Sequence, residues 1–270
     1  MSQSRVSIVV PYYNAHAFLE QTLASALNQT CPEVEVIVVN DGSTDPDAVA
    51  YFEQLNDPRI RKFSTTNQGL PMARNTGISL ASGTYILPLD ADDLISSTYV
   101  EEAVKVLDAQ PAVGIVYAHA CFFGDVNAFW DLPAFDPTDF LTGNCIFACA
   151  MFRRADWLVA GGYKADMRQG LEDYDFWLSL VGLGRQVVRL PQVHFFYRKH
   201  GVSMISGMRQ EQLHEAFKRI LTRHRQLYAD RTLDMIIRLN EYKREMLRLQ
   251  QEVSELKAEK AALSQVESAA

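Results

Sequence analysis

No stretch of this 270-residue chain approaches the roughly 18 consecutive apolar residues that a membrane-crossing helix requires. The first residues also lack a basic region followed by a long apolar run, which argues against a secretory leader. Any membrane contact is therefore expected to be peripheral. Cysteine is scarce: Cys31, Cys121, Cys145 and Cys149 form no CxxC pair and have no histidine pattern beside them. That argues against a zinc site and a disulfide framework and favours reduced thiols in the cytoplasm, with membrane contact confined to its inner face. Positive charge is also short. The formal net charge is -7, and no basic stripe carries interleaved aromatics, so a nucleic-acid groove is not expected. Beyond Gly207 both glycine and proline are absent.

With 48% hydrophobic residues the chain can bury a large core as one domain or two modest ones. Short β-branched runs at 6–10, 34–39, 60–63 and 85–89 alternate with helical patterns at 15–29, 47–56 and 71–81. This predicts an α/β fold with a Rossmann-like, mostly parallel sheet covered on both faces and binding ligands at its carboxyl edge. Three polar clusters end these strands on one rim: Pro11-Tyr12-Tyr13-Asn14, Asn40-Asp41-Gly42-Ser43-Thr44-Asp45 and Asp90-Ala91-Asp92-Asp93.

The last of these is the most informative. Three carboxylates within four residues, directly after an apolar strand, repel one another and lose solvation unless a cation or ligand faces them. Hard oxygens suit Mg²⁺ or Mn²⁺, whose open positions are commonly filled by substrate phosphates. The plainer alternative is that Asp92 or Asp93 caps a helix over 94–107, although one carboxylate would suffice for that.

The second half is less regular. Strands are predicted at 113–123 and 146–152, a Pro- and Asp-containing loop at 129–144, and a helix at 154–159 stopped by Gly161-Gly162. In Leu171-Glu172-Asp173-Tyr174-Asp175-Phe176-Trp177-Leu178 the acidic residues occupy the first turn of a helix with a buried apolar face. Their plain reading is favourable interaction with the helix dipole.

In order, Val6-Ser7-Ile8-Val9-Val10-Pro11-Tyr12-Tyr13-Asn14, Val38-Val39-Asn40-Asp41-Gly42-Ser43-Thr44-Asp45, Asn67-Gln68-Gly69, Ala73-Arg74-Asn75-Thr76-Gly77, Asp90-Ala91-Asp92-Asp93, Gly161-Gly162-Tyr163 and Glu172-Asp173-Tyr174-Asp175 resemble the inverting glycosyltransferases of family 2 with the GT-A fold. The resemblance covers about residues 5–205. It implies a GT-A domain over 1–206, with a nucleotide-binding half at about 1–110 and an acceptor half at about 111–206.

The resemblance further implies transfer of a hexosyl or N-acetylhexosaminyl group from a nucleoside diphosphate sugar, UDP-linked by preference, to a glycan or lipid-linked acceptor. A divalent cation, Mn²⁺ or Mg²⁺, would stabilise the leaving diphosphate. Asp92 then ligates the metal, and Asp90 binds the ribose or supports the metal shell. Asp41 accepts from the base, Pro11 and Tyr13 line the base pocket, and the motif residues Asn14 and Asn67 join this donor-binding set. Arg74 pairs with phosphate or with Asp90. Asp173 is the expected general base, with Glu172 orienting the acceptor or capping the helix. In Phe195-Phe196-Tyr197-Arg198-Lys199-His200-Gly201-Val202-Ser203-Met204, which resembles the family's late region over the diphosphate, His200 is the expected third metal or phosphate ligand, with Arg198 and Ser203 nearby. His194 is the rival, ranked below it. A sugar-nucleotide pyrophosphorylase and a non-catalytic sugar-nucleotide binding module are the alternatives. The former usually carries a Gly-rich loop with a basic residue where this chain has Pro11-Tyr12-Tyr13-Asn14, and the latter has no need of Asp173.

Residues 207–270 read as a helical region. Leu239, Tyr242, Met246, Leu249, Val253, Leu256, Lys260 and Leu263 step by alternating three and four residues, a heptad seam that predicts a coiled coil and a homo-oligomer. Upstream, Leu213, Phe217, Ile220 and Leu221 form a separate stripe expected to dock on the catalytic domain.

Overall fold

The computed structural model describes residues 6–201 and 207–269, without the side chains at 259 and 261–269. Ser203 lies outside the described residues. Strands β1 (Val6–Tyr12), β2 (Val34–Asn40), β3 (Ile60–Ser64) and β4 (Tyr85–Pro88) alternate with helices α1 (His16–Leu27), α2 (Pro46–Gln54) and α3 (Leu70–Leu80). The Val- and Ile-rich runs of β1 and β2 are buried on both faces, as parallel strands between helical layers require. Gly77 brings α3 close to the sheet, since a Cβ there would stand 2.3 Å from Val9 Cγ1.

The remaining elements are β5 (Leu94–Ile95), α4 (Tyr99–Ala109), β6 (Val113–Gly124), β7 (Ala128–Trp130), β8 (Met151–Arg153), α5 (Arg154–Ala160), α6 (Glu172–Gly182), β9 (Gln186–Lys199), α7 (Gln210–Arg223), α8 (Arg225–Asp230) and α9 (Thr232–Ala269). The sheet order is β3-β2-β1-β4-β8-β6-β9-β5, with β7 on β6.

Three local expectations are corrected here. The sheet is parallel through its first four strands but mixed overall, because β8 runs antiparallel to both β4 and β6, and β5 antiparallel to β9. The early strands are joined by helical crossovers, which allow parallel pairing, and β6 also pairs parallel with β9. Residues 94–95 form a strand on β9 rather than a helix start, and α4 begins at Tyr99, so none of the three aspartates caps it. The predicted strand at 146–152 shortens to Met151–Arg153, while the predicted loop at 129–144 gives part of β7 and a 3-10 turn at Asp139–Leu141.

The chain forms two compact units, one of 1–135 with 144–224 and one of 136–143 with 225–270. Helix α7 belongs to the first, although the expected helical region began at 207. Its Ala216 and Ile220 are buried, but Leu221 faces solvent. In the second unit Tyr228 Oη donates to Leu141 O at 2.9 Å and Arg238 pairs with Asp139 at 3.2 Å. Among the described residues no helix is long and apolar enough to cross a membrane.

Candidate functional site

Parallel register brings the strand ends together. Tyr12 pairs with Asn40 and Asn40 with Ser64, so the loops that follow lie side by side. Asn14, in the left-handed region at φ 51°, accepts from Thr44 N at 2.9 Å and Asp45 N at 3.0 Å through its Oδ1, locking the first loop to the second. Pro11 is buried within β1, whereas the Tyr13 side chain is exposed.

Asp41 is buried and turned onto the third loop. It accepts from Gln68 N at 2.9 Å and Thr65 Oγ1 at 3.2 Å on Oδ1, and from Gly69 N at 2.7 Å on Oδ2. Both oxygens therefore fix the loop that carries Asn67, whose own side chain accepts from Arg168 Nη2. Gly42 is required here: at φ 69° a Cβ would stand 2.6 Å from Asn67 N.

Arg74 is sealed inside α3 at 1% exposure and divides its guanidinium between two motifs distant in sequence. Nη2 donates to Asp90 at 2.6 Å and Nη1 to Glu172 at 2.5 Å, and the cation lies 5.6 Å from the Tyr163 ring centroid. Burial opposes its charge, but Asp90 and Glu172 more than offset this and raise its pKa. Asn75 fastens the glycine pair. Its Nδ2 donates to Tyr163 O at 2.8 Å and its Oδ1 accepts from Tyr163 N and Trp157 Nε1. Of the two possibilities for Arg74, the structure pairs it with Asp90. Glu172 neither caps α6 nor is exposed.

Beside this bridge, Asp92 Oδ2 stands 2.8 Å from His200 Nε2. Burial and then neighbouring Asp90 push the Asp92 carboxyl up. Asp93 is more deeply buried, accepts from Arg198 N at 2.8 Å, and is pushed well up by burial and by Asp92 and Asp90. A divalent cation would relieve the strain on Asp92, and its oxygen with the His200 nitrogen fits Mn²⁺ or Mg²⁺ when phosphate and water supply the rest. Among the described residues no three His, Cys, Asp or Glu side chains are grouped as a metal cage. Arg198 spends its guanidinium between Phe18 and Phe123, at 4.4 and 4.3 Å from their centroids, and on Gln21. His194 is buried between Ser96, Glu102 and Tyr99.

Asp173 follows Glu172 in the first turn of α6. Its Oδ1 accepts from Tyr174 N at 2.7 Å and its Oδ2 from Asn144 Nδ2 at 3.3 Å. Among the described residues it forms no ion pair, while Glu172 pairs with Arg74 and Asp175 with Arg223. Burial and the adjacent Glu172 push its carboxyl up to about 7. Such a carboxyl can take a proton near neutral pH. Asn144 and Arg168 carried no sequence signal, since each gains its meaning from a partner far along the chain.

The model of "Glycosyl transferase family 2" matches residues 7–157. A chondroitin synthase of Pasteurella multocida is 31% identical over 186 residues, covering 67% of this chain and 19% of its own length. The chain thus spans only about a fifth of that relative. Among solved structures, S. aureus TarS 1-349 in complex with UDP-GlcNAc superimposes with a TM-score of 0.66 at 19% identity, covering 81% of this chain and 66% of that one. A mannosyltransferase from Pyrobaculum calidifontis in complex with GDP-Man and Mn²⁺ gives a TM-score of 0.53 at 25% identity, over 72% of this chain and 56% of that one. With the family model covering more than half of its length and the GT-A-like α/β fold around the site, this chain belongs to glycosyl transferase family 2.

Proposed function

We propose that this chain is a metal-dependent inverting enzyme that moves a hexose or N-acetylhexosamine from a UDP-sugar to a hydroxyl of a glycan, lipid-linked or other surface-polysaccharide acceptor. The observation that carries the reading is the division of labour among neighbouring carboxylates. Glu172 is tied up by Arg74, and Asp92 adjoins His200. Asp173, without an ion pair among the described residues and with its pKa raised to about 7, is suited to receive the acceptor proton.

The loops at 11–14, 41–45 and 65–69 form the donor side, with Tyr13 exposed for stacking on the base and the Asp41 hydrogen bonds holding the floor. Asp92 and His200 would hold a Mn²⁺ or Mg²⁺ ion, which when bound neutralises charge on the leaving diphosphate. Arg74 keeps Asp90 and Glu172 in fixed positions through its two ion pairs. Asp173 deprotonates the acceptor hydroxyl as it attacks the anomeric carbon opposite the diphosphate, giving inversion without a covalent intermediate. UDP-GlcNAc in TarS and GDP-Man with Mn²⁺ in the Pyrobaculum calidifontis mannosyltransferase support a nucleotide-sugar donor and a metal. The long exposed helix supports self-association, and peripheral placement at the membrane would suit a lipid-linked acceptor.

The test is a panel of UDP- and GDP-sugars incubated with and without Mn²⁺ or Mg²⁺, with release of free nucleoside diphosphate as the readout. Metal-dependent release from a UDP-sugar is expected, and it needs no acceptor. Absence of release from every donor, together with no measurable UDP binding, would overturn the reading.

A further inference from the structure

The helix that carries Asp173 starts without an ordinary cap. Leu171, its N-cap residue, is held in the left-handed region at φ 61°, Gly170 before it lies at φ 131°, and no side chain caps the turn. A leucine in the left-handed region is strained, so this entry persists only if its surroundings hold it. Three carboxylates then crowd the first turn.

Support comes from α7. Asp175, at 1% exposure, accepts on Oδ1 from Arg223 Nη1 at 2.7 Å and lies 2.9 Å from His224 Nε2 through the same atom. The other nitrogen of the fork, Arg223 Nη2, reaches both oxygens of Asp166 at 2.8 Å. Asp166 sits in the 3-10 turn Ala165–Met167, ahead of the left-handed entry. One guanidinium thus fastens both ends of the segment 166–175, which contains Asp173. Arg219 adds a bond to Asp166 O, Gln212 one to Gln169 at 3.2 Å, and Phe217 packs edge-on against Tyr174 at 6.4 Å. All of these α7 residues lie beyond the 7–157 span of the family model.

We infer that Arg223, seconded by His224, is a positioning residue for the transfer reaction, stapling Asp166 to Asp175 so that the intervening turn presents the Asp173 carboxylate to the acceptor hydroxyl. The inference rests on the proposed role of Asp173. Glu172 is held from one side by Arg74 and Asp175 from the other by Arg223, which leaves the middle carboxylate fixed and, among the described residues, without an ion pair. A base must lie within hydrogen-bond reach of its proton, and a displacement of about 1 Å can cost roughly a hundredfold in rate. Helix α7 is on this account part of the catalytic unit.

The test uses the full chain. Arg223→Lys keeps a cation beside Asp175 but cannot grip Asp166 and Asp175 together. Asp166→Asn removes the charge at the exposed far end of the staple and leaves the buried pair alone. Both should lower kcat for acceptor transfer about tenfold while the Kd for UDP stays within about twofold. His224→Gln, which keeps a side-chain donor, should restore most of the kcat lost in His224→Leu. A purely structural staple would change the melting temperature and leave kcat per folded molecule untouched. Wild-type kcat in both Arg223→Lys and Asp166→Asn overturns the inference. If Arg223→Lys does not fold, Asp166→Asn decides. A wild-type protein with no nucleotide-sugar turnover would instead remove the proposed function, and this inference with it.

Discussion

Arg74 and Glu172 stand 98 positions apart in the sequence yet meet at 2.5 Å in the interior, and the same guanidinium grips Asp90 at 2.6 Å. The acidic cluster after β4 and the first turn of α6 are thereby joined through one cation with no access to solvent. A change at either carboxylate is felt at the other.

Arg74→Met should be the most damaging substitution at the site. It leaves Glu172 buried without a counter-charge, and breaking such a pair costs about 3–5 kcal/mol. Arg74→Lys keeps the charge but loses the fork, so it should fold with a smaller penalty and still lose at least about tenfold in kcat/KM. Denaturant melts and turnover on the two variants check this. Equal stability of Arg74→Met and wild type would show that the bridge is dispensable.

The acidic cluster and the Glu172-Asp173 pair were legible because strand ends and helix starts announce themselves in one dimension, through apolar runs that stop at polar residues. Their connection through Arg74 was not, because periodicity places a residue on a face and does not say which distant face it meets. The same limit hid the antiparallel insertion of β8 between β4 and β6, and the meeting of α7 with Asp166 and Asp175. Leu94-Ile95 misled for another reason: two apolar residues after an aspartate read equally well as a helix start or as a short strand. Asp41 was identified as a site residue, yet its carboxylate proves to hold the backbone of 68–69, a use that composition cannot separate from ligand contact.

Asp92→Asn should abolish metal-stimulated transfer and weaken UDP binding measured with Mn²⁺ present, because a neutral amide is a poorer ligand for a hard cation. UDP affinity without metal should change little. Since burial and Asp90 push the Asp92 carboxyl up, a bound metal competes with a proton there, and metal affinity should fall as pH drops. Full activity in excess chelator would rule this out.

The raised pKa of Asp173 sets both a rate and a stability profile. As a base it acts only when ionised, so kcat should climb with pH and level off above about 7. Asp173→Asn should cut turnover roughly a hundredfold or more, with UDP affinity near wild type. The folded carboxyl holds its proton to about 7 against the ordinary 3.8, so its stabilising contribution is full below 3.8 and is lost as pH rises through about 7. Asp173→Asn should therefore gain stability relative to wild type between pH 5 and pH 8. A flat difference in melting temperature across that interval would contradict the assignment.

The last prediction concerns α9. Leu239, Tyr242, Met246, Leu249, Val253 and Leu256 are all exposed along this helix, a seam spaced for knobs-into-holes packing against another copy. Replacing Met246, Leu249 and Val253 with Glu removes apolar burial worth about 25 cal/mol per Å² and sets like charges on facing helices, so an oligomer built on this seam should fall apart into monomers. Transfer to a small soluble acceptor should survive, because Asp92, Asp173 and His200 all lie in the other compact unit, whereas processing of a long or lipid-linked acceptor should fall if it needs several sites held together. Light scattering on wild type and the triple variant decides the point. The same mass for both proteins, whether monomeric or not, would show that this seam does not govern assembly.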